Sequence, residues 1–149
     1  MNGKLEAYLE FKGNAREALE FYAKIFESPQ PEFTLFHDMP EEDQKESRKF
    51  MPSVGDDWVM NGSVKIGESV LMASDSSDEL SPDGRIISGN NFWLSFSSED
   101  GEAVRKVWDH FLEEGGEILM PLEETFWAKQ YGALRDRFGI QWMIMEYIR

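Results

Sequence analysis

The sequence predicts an α+β fold in which one βαβββ unit is used twice. The two units would form a curved eight-stranded mixed sheet, as half-barrels around a cleft, with one main helix per repeat. Two observations lead to this prediction. Segments with the alternating pattern of half-buried strands flank two amphipathic helical segments. The same order of elements then begins again after a stretch at 75–90 that is rich in Ser, Asp and Gly.

The first repeat is predicted over about residues 4–74. Residues 5–11 (LEAYLEF) alternate as a strand, and a helix follows with Asn14 as its expected N-cap. The apolar stripe of this helix consists of Ala18, Leu19, Tyr22, Ile25 and Phe26. Three further strands are expected at 31–37, 58–66 and 68–74, the last two as a hairpin around Gly67.

The second repeat is predicted over about residues 91–148, after a linker at about 75–90, so that 1–149 form one domain. A strand at 91–96 precedes a helix that opens at Ser97 or Ser98 and ends at Gly115–Gly116. The remaining strands are expected at 117–122, 132–136 and 140–148. The halves match at an offset of 85 residues, with five identities: Leu9/Leu94, Phe11/Phe96, Glu17/Glu102, Ala18/Ala103 and Phe26/Phe111.

The net charge of −14, from 29 acidic and 15 basic residues, limits the classes of partner that the protein can bind. Such a field repels phosphate backbones and anionic lipids, so we expect neither nucleic-acid nor membrane binding. The absence of cysteine excludes disulfides, thiolate metal sites and a Cys nucleophile. The acidic runs at 38–46 and 75–83 are interpreted as solvated loops. With no signal-like start and no long apolar run, the expected location is the cytoplasm.

Three segments between Tyr8 and Trp142 carry a family resemblance: YLEFKGNAREALEFYAKIF, IGESVLMASD and MPLEETFWAKQYGALRDRFGIQW. Together they resemble the PhnB-like branch of the vicinal oxygen chelate superfamily, which includes glyoxalase I, extradiol dioxygenases, and bleomycin and fosfomycin resistance proteins. The FW…YG…D…FG…W run is the specific part. The chain departs from the branch at Arg137, where Pro is frequent, and at Ile140, where His is frequent. The resemblance implies the tandem βαβββ fold and a homodimer.

Members of this branch are also labelled ubiquinone-pathway methyltransferases, and the residues do not support that label. The chain has no Gly-rich strand–helix turn of the kind that holds S-adenosylmethionine. We therefore expect no cofactor.

The resemblance further implies a divalent cation held by His, Glu or Gln on the first and last strands of each half. Alternation that packs Leu9 inward turns Glu6 and Tyr8 toward the cleft, and the repeat does the same for Asn91 and Trp93. Glu6 and Asn91 then occupy the early ligand positions, but the later positions are apolar, at Met143 and around Met72. One carboxylate and one amide are too few for a catalytic site, so no bound metal is expected. If the strand register were shifted by one residue, the side chains expected toward the cleft would face the helix instead, and those expected to pack on the helix would face the cleft.

Aromatic and methionine side chains are the candidate lining of the cleft. Trp127 and Tyr131 are expected on a connection over its open end, whereas Trp142 should pack as core. The expected ligand-binding residues are Glu6, Tyr8, Met60, Met72, Asn91, Trp93, Trp127, Tyr131 and Met143, with Glu6 also a candidate general base. The same residues could instead be ordinary core or rim.

Three functions remain open from the sequence. The favoured one is a metal-free PhnB-like homodimer that binds a small apolar or aromatic molecule, with any reaction unassigned. The first alternative is a divalent-metal lyase or isomerase of the glyoxalase type, with Glu6 as a ligand. The second alternative is an acidic interaction module that uses residues 38–50.

Overall fold

Two units, Met1–Ile87 and a second that starts at Ser88, make up the computed structural model, which describes residues 1–148. Each unit contains a four-stranded mixed sheet, and the strand order is equivalent in both, first–fourth–third–second. Because each unit also has a helix after its first strand, the predicted α+β class with two βαβββ repeats is confirmed. Among residues 1–148, no helix combines the length and apolar character needed to cross a bilayer.

The first unit contains four strands and two α-helices. They are β1 (Ala7–Phe11), α1 (Ala15–Ile25), β2 (Glu32–Leu35), α2 (Glu41–Phe50), β3 (Val59–Ile66) and β4 (Ser69–Asp75). β1 pairs with β4 in parallel, and β3 pairs antiparallel with both β4 and β2. The predicted alternation in β1 is confirmed, since Leu9 and Phe11 are buried while Tyr8 and Glu10 are exposed.

Helix α1 covers one face of the first sheet because its apolar residues recur at helical spacing. Ala18, Leu19 and Tyr22 are fully buried, as the predicted stripe requires. The contact is close at Gly62 of β3, where a Cβ atom would lie 2.6 Å from Leu19 Cδ1 and 2.9 Å from the Phe33 ring. A glycine at this position therefore allows the helix to approach the sheet.

The acidic run at 38–46 is not a loop, and that prediction was wrong. Most of it forms the start of α2, a helix without buried side chains. Its first turn carries acidic side chains and its last turn carries Arg48 and Lys49, an order that complements the helix dipole. Gln44 donates to the Met39 carbonyl (2.7 Å), and Arg48 donates to the Val54 carbonyl (2.9 Å). The run at 75–83 likewise includes the last residue of β4 and a short 3-10 helix, Asp78–Leu80.

The second unit contains β5 (Leu94–Ser98), α3 (Gly101–Glu113), β6 (Glu117–Glu123), β7 (Ala128–Arg135) and β8 (Gln141–Tyr147). Trp127 lies on the connection between β6 and β7, as predicted. The same prediction was wrong for Tyr131, because β7 starts at Ala128 and Tyr131 pairs with Met145 of β8. Pairing of residues 128–130 with β8 outweighs the low strand propensity of Ala and Lys in this stretch.

The first strand of this unit, β5, starts at Leu94, which is three residues later than predicted. Alternation that turns Asn91 and Trp93 toward the cleft would pack Phe92 between them inward, but Phe92 is exposed.

Aspartates hold the helix starts. Asn14 occupies the N-cap position of α1, as predicted, but its side chain makes no capping bond. Instead, the Asp75 carboxylate at the end of β4 accepts bonds from the Ala15 amide and the Val59 amide, both at 2.9 Å. In the second unit the cap is Asp100, not Ser97 or Ser98, and it accepts from Glu102 N and Ala103 N. Asp75 is sixty residues from Ala15, so local sequence rules could not identify it.

We expect Asp75→Ala to lower the free energy of unfolding by about 2–4 kcal/mol, because two amides lose a charged acceptor. Asp75→Asn keeps the shape and one acceptor oxygen, so its loss should be smaller. Urea unfolding followed by circular dichroism measures both, with Glu68→Ala in the exposed β3–β4 turn as the control. An Asp75→Ala midpoint equal to that of the control would contradict this role.

Candidate functional site

The second sheet has one face under α3 and one face that we call the second open face. Trp142 and Ile144 of β8 are buried, and the Trp142 ring lies 5.2 Å from that of Phe111 on α3. Alternation therefore turns Met143 and Met145 to the opposite side. Met143 pairs with Ser95 of β5 and Ala133 of β7. A thioether is thus placed between the short side chains of two neighbouring strands.

Three rings extend from this face toward the edge of the sheet, and we call them the aromatic row. The Phe126 and Trp127 centroids are 4.8 Å apart, and those of Trp127 and Tyr131 are 5.4 Å apart, both edge-to-face. Phe126 is 92% exposed and Trp127 is 45% exposed. Tyr131 lies on β7 opposite Met145, so the row ends beside the methionines. The structure thus brings together two residues predicted to bind ligand, Trp127 and Tyr131, and places them near Met143.

Asn91 and Trp93 lie in the segment just before β5, and a residue that sequence reasoning missed holds this segment. The Gln141 side chain is buried and donates to the carbonyls of Asn90 and Phe92, both at 3.1 Å. Its Oε1 accepts a bond from Arg135 (3.0 Å). Asn91 is exposed, and Trp93 is half-buried. A buried amide in an apolar strand was the signal that could have identified Gln141.

The first sheet has an equivalent face, the first open face, opposite α1. Tyr8 is 46% exposed and pairs with Met72, which pairs in turn with Ser63. Met60 is an extra residue in β3. Thr34 of β2 pairs with Asn61 and Leu35 pairs with Val59, so no residue of β2 lies opposite Met60. Glu6 is exposed and directly precedes β1. The predicted residues Tyr8 and Met72 are therefore neighbours, whereas Met60 lies at a bulge.

The donor set does not fit the divalent cation that the superfamily resemblance implies. In the part of the chain from 1 to 148, no three His, Asp or Glu side chains converge at metal-binding distance. The late ligand positions carry thioethers, at Met72 and Met143, instead of carboxylates. His37 is engaged, since its Nδ1 lies 2.9 Å from the Asp56 carbonyl and its Nε2 lies 3.2 Å from Asp38. Hard or borderline cations need three or more oxygen or imidazole ligands, which this arrangement does not supply.

The most specific sequence run, YG-x-L-x-D-x-FG-x-x-W, has a structural role. Asp136 is 4% exposed, and its Oδ1 accepts from Phe138 N (2.9 Å) and Ile140 N (3.0 Å). Its Oδ2 accepts from the Trp142 indole (2.9 Å). Gly139 has φ +86°, which favours glycine in the turn. The run therefore builds the β7–β8 turn and fixes the register that positions Met143.

Comparison with known proteins identifies relatives over nearly the whole chain. The family model described as 3-demethylubiquinone-9 3-methyltransferase matches residues 3–145. Protein YjdN of Escherichia coli K12 is 32% identical over 143 residues, covering 94% of this chain and 92% of that protein. The crystal structure of PA1353 from Pseudomonas aeruginosa superposes with a TM-score of 0.76 at 29% identity, covering 97% of each chain. A putative 3-demethylubiquinone-9 3-methyltransferase, PhnB protein, from Bacillus cereus has a TM-score of 0.62 at 21% identity, covering 96% and 98%.

The methyl donor implied by that description does not fit the strand–helix turns of this chain. A Gly-rich strand–helix turn lets a nucleotide-type cofactor approach the backbone at a helix start. At α1 the Ala15 amide is bonded to the Asp75 carboxylate. At α3 the Glu102 and Ala103 amides are bonded to Asp100. At each helix start the protein's own carboxylate therefore takes at least one amide, and neither turn is Gly-rich, so we derive no methyl-transfer step.

We expect Asp136→Asn to destabilise the protein by about 2–4 kcal/mol, because a buried charged acceptor serves three donors. Trp142→Phe removes one of those donors and some ring area. A double-mutant cycle of the two changes, measured by urea unfolding, should show a coupling of about 0.5–3 kcal/mol. Additive effects would mean that the indole–carboxylate bond does not hold the turn.

Proposed function

The chain belongs to the family described as 3-demethylubiquinone-9 3-methyltransferase, in the PhnB-like branch of the vicinal oxygen chelate superfamily, and from this premise we propose that it binds a small, largely apolar or aromatic molecule without a catalytic metal. The observation that carries the proposal is the exposed aromatic row beside the methionines of the second open face. No reaction is assigned, because fold membership does not specify chemistry.

The exposure of these rings supports a binding role. A contiguous group of exposed aromatic side chains is uncommon on a protein surface unless it contacts another molecule. Trp127 and Tyr131 present ring faces and edges in fixed edge-to-face geometry, which suits a planar ligand. Methionines can adapt to its outline, since their side chains are flexible and polarizable. Tyr8 and Met72 offer a similar, smaller surface on the first open face.

A homodimer is part of the same proposal, as is a cytoplasmic location. The support for a homodimer is β6. This strand lies at the edge of the second sheet and therefore has one side without a strand partner in its own sheet. Ile118, Leu119 and Met120 of this strand are exposed. An exposed apolar edge strand favours pairing with another chain. Together with the aromatic row, β6 forms a surface that a second copy could cover in part.

The other two functions have less support. The glyoxalase-type alternative needs Glu6 and further ligands, and the described residues do not bring three of them together. The interaction-module alternative would use α2, whose side chains are not buried. A basic partner that is lost when α2 is deleted would favour that alternative.

The neutral fluorescent dye N-phenyl-1-naphthylamine tests the binding surface. We expect saturable binding to the wild type, and about tenfold weaker binding to Trp127→Ala, because an aromatic contact and its buried area are lost. Met143→Ala should also weaken binding. Phe50→Ala removes an exposed ring from α2, 71% exposed against 45% for Trp127, and serves as the control. Equal affinities of Trp127→Ala and Phe50→Ala would refute the proposed surface.

A thermal-shift titration of chelator-treated protein with Ni²⁺, Zn²⁺, Mn²⁺, Mg²⁺ and Fe²⁺ tests the metal-free part of the proposal. We expect no saturable shift, whereas a specific ligand at 100 times its Kd would add about 2.7 kcal/mol of stability. A saturable shift that Glu6→Ala abolishes would make the glyoxalase-type alternative the better one. A Glu10→Ala variant, with the same loss of charge four residues further along, in β1, is the control.

A further inference from the structure

A cavity of about 450 Å³ lies within the first unit, at the end of the sheet where β1 and β4 stop and β3 begins. Its lining includes Lys12, Trp58, Ser76, Ser77, Asp78 and Glu79. None of these residues belongs to either open face, so the cavity is separate from the binding surface proposed above. Its volume is within the range of pockets that hold small organic molecules.

Main-chain hydrogen bonds hold the walls of this cavity. The Ser76 amide donates to the Phe11 carbonyl (2.6 Å), which joins the ends of β4 and β1. The Trp58 amide donates to the Gly55 carbonyl (3.1 Å), and the Trp58 carbonyl accepts from Phe36 N (2.8 Å). A ligand would therefore meet a wall that is already ordered, which lowers the entropic cost of binding.

Charge distribution decides which kind of molecule fits. The Lys12 ammonium is paired with the Asp78 carboxylate at 2.7 Å, so these two charges offset one another. The hydrogen bonds from Lys12 and from the Ile86 amide lower the pKa of Asp78 below its usual value.

Two further carboxylates are not offset. Glu79 lines the cavity, and Asp57 lies against the wall at Gly55, where a Cβ atom would be 3.1 Å from its Oδ1. Neither takes part in an ion pair within residues 1–148. The net charge of −14 adds to the same negative potential. Arg85 also acts on Asp78, so the charges beside the cavity comprise two cations, Lys12 and Arg85, and three carboxylates, Asp57, Asp78 and Glu79. Their net charge is −1, and a cation is therefore favoured over an anion.

We propose that this cavity binds a small organic cation, an amine or quaternary ammonium compound, between the indole of Trp58 and the carboxylates of Asp57 and Glu79. Tryptophan is the strongest cation–π partner among the aromatic side chains, and nearby carboxylates add Coulomb attraction. The hydroxyls of Ser76 and Ser77 are available to a polar group on the same molecule. The volume exceeds that of a bare ion, and no three acidic or imidazole side chains converge in the described residues.

Choline and its uncharged isostere 3,3-dimethylbutan-1-ol distinguish charge recognition from simple filling of the cavity. Titrations of the whole protein at low ionic strength, followed by isothermal calorimetry or two-dimensional NMR, should show saturable choline binding. The isostere should bind about tenfold more weakly, because it lacks the cation–π and Coulomb attraction. Added KCl should weaken choline binding, since the two carboxylates are exposed.

Variants locate the site. Trp58→Leu and Glu79→Gln should each weaken choline binding about threefold or more. Glu68→Gln, which makes the same change of charge in the exposed β3–β4 turn, should leave it unchanged. If Trp58→Leu does not fold by circular dichroism, Glu79→Gln and Asp57→Asn still decide the result.

Three results would overturn the proposal: equal affinity for choline and its isostere, no saturable choline binding, or Glu79→Gln binding as tightly as Glu68→Gln. Trp127→Ala should bind choline like the wild type. The two sites can therefore fail or succeed independently of one another.

Discussion

A helix that covers only one face of a four-stranded sheet is the constraint on which both units depend. In the first unit Leu19 of α1 lies over Gly62, and in the second Trp108 of α3 lies over Gly132. A side chain at either glycine would separate the helix from its sheet, because interiors are close-packed. Since strand residues alternate, this one-sided burial also decides which residues remain on the open faces. Tyr8, Met72, Tyr131 and Met143 are accessible for that reason.

Buried or half-buried carboxylates then fix the ends of the elements. Asp75 joins the start of α1 to the start of β3, and Asp136 closes the β7–β8 turn around the Trp142 indole. Each aspartate serves backbone amides that would otherwise lack an acceptor, which is why a single side chain can position several segments. The cavity of the first unit lies next to Asp75, and the position of Met143 depends on Asp136. Both proposed binding surfaces therefore depend on carboxylates that do not themselves contact a ligand.

The family likeness lies to a large extent in residues that build the fold. Gly132, Asp136, Gly139 and Trp142 belong to the most specific motif, and each has a packing or turn role. Such residues indicate membership of the family but do not specify a substrate. The open faces carry the chemical information. They present rings and thioethers where metal chemistry would need carboxylates or imidazoles.

The sequence by itself determined the repeated βαβββ unit, the alternation in β1, the amphipathic face of α1 and the core position of Trp142. All of these follow from local periodicity, which the chain carries in its own order of residues. The tertiary structure decided the rest. Residues 128–131 form a strand because β8 pairs with them, and Asp75 caps a helix sixty residues away. Gln141 and the cavity beside Trp58 likewise depend on segments distant in sequence. Hydrogen-bond partners across the fold are chosen by proximity in space, and no local pattern records that proximity.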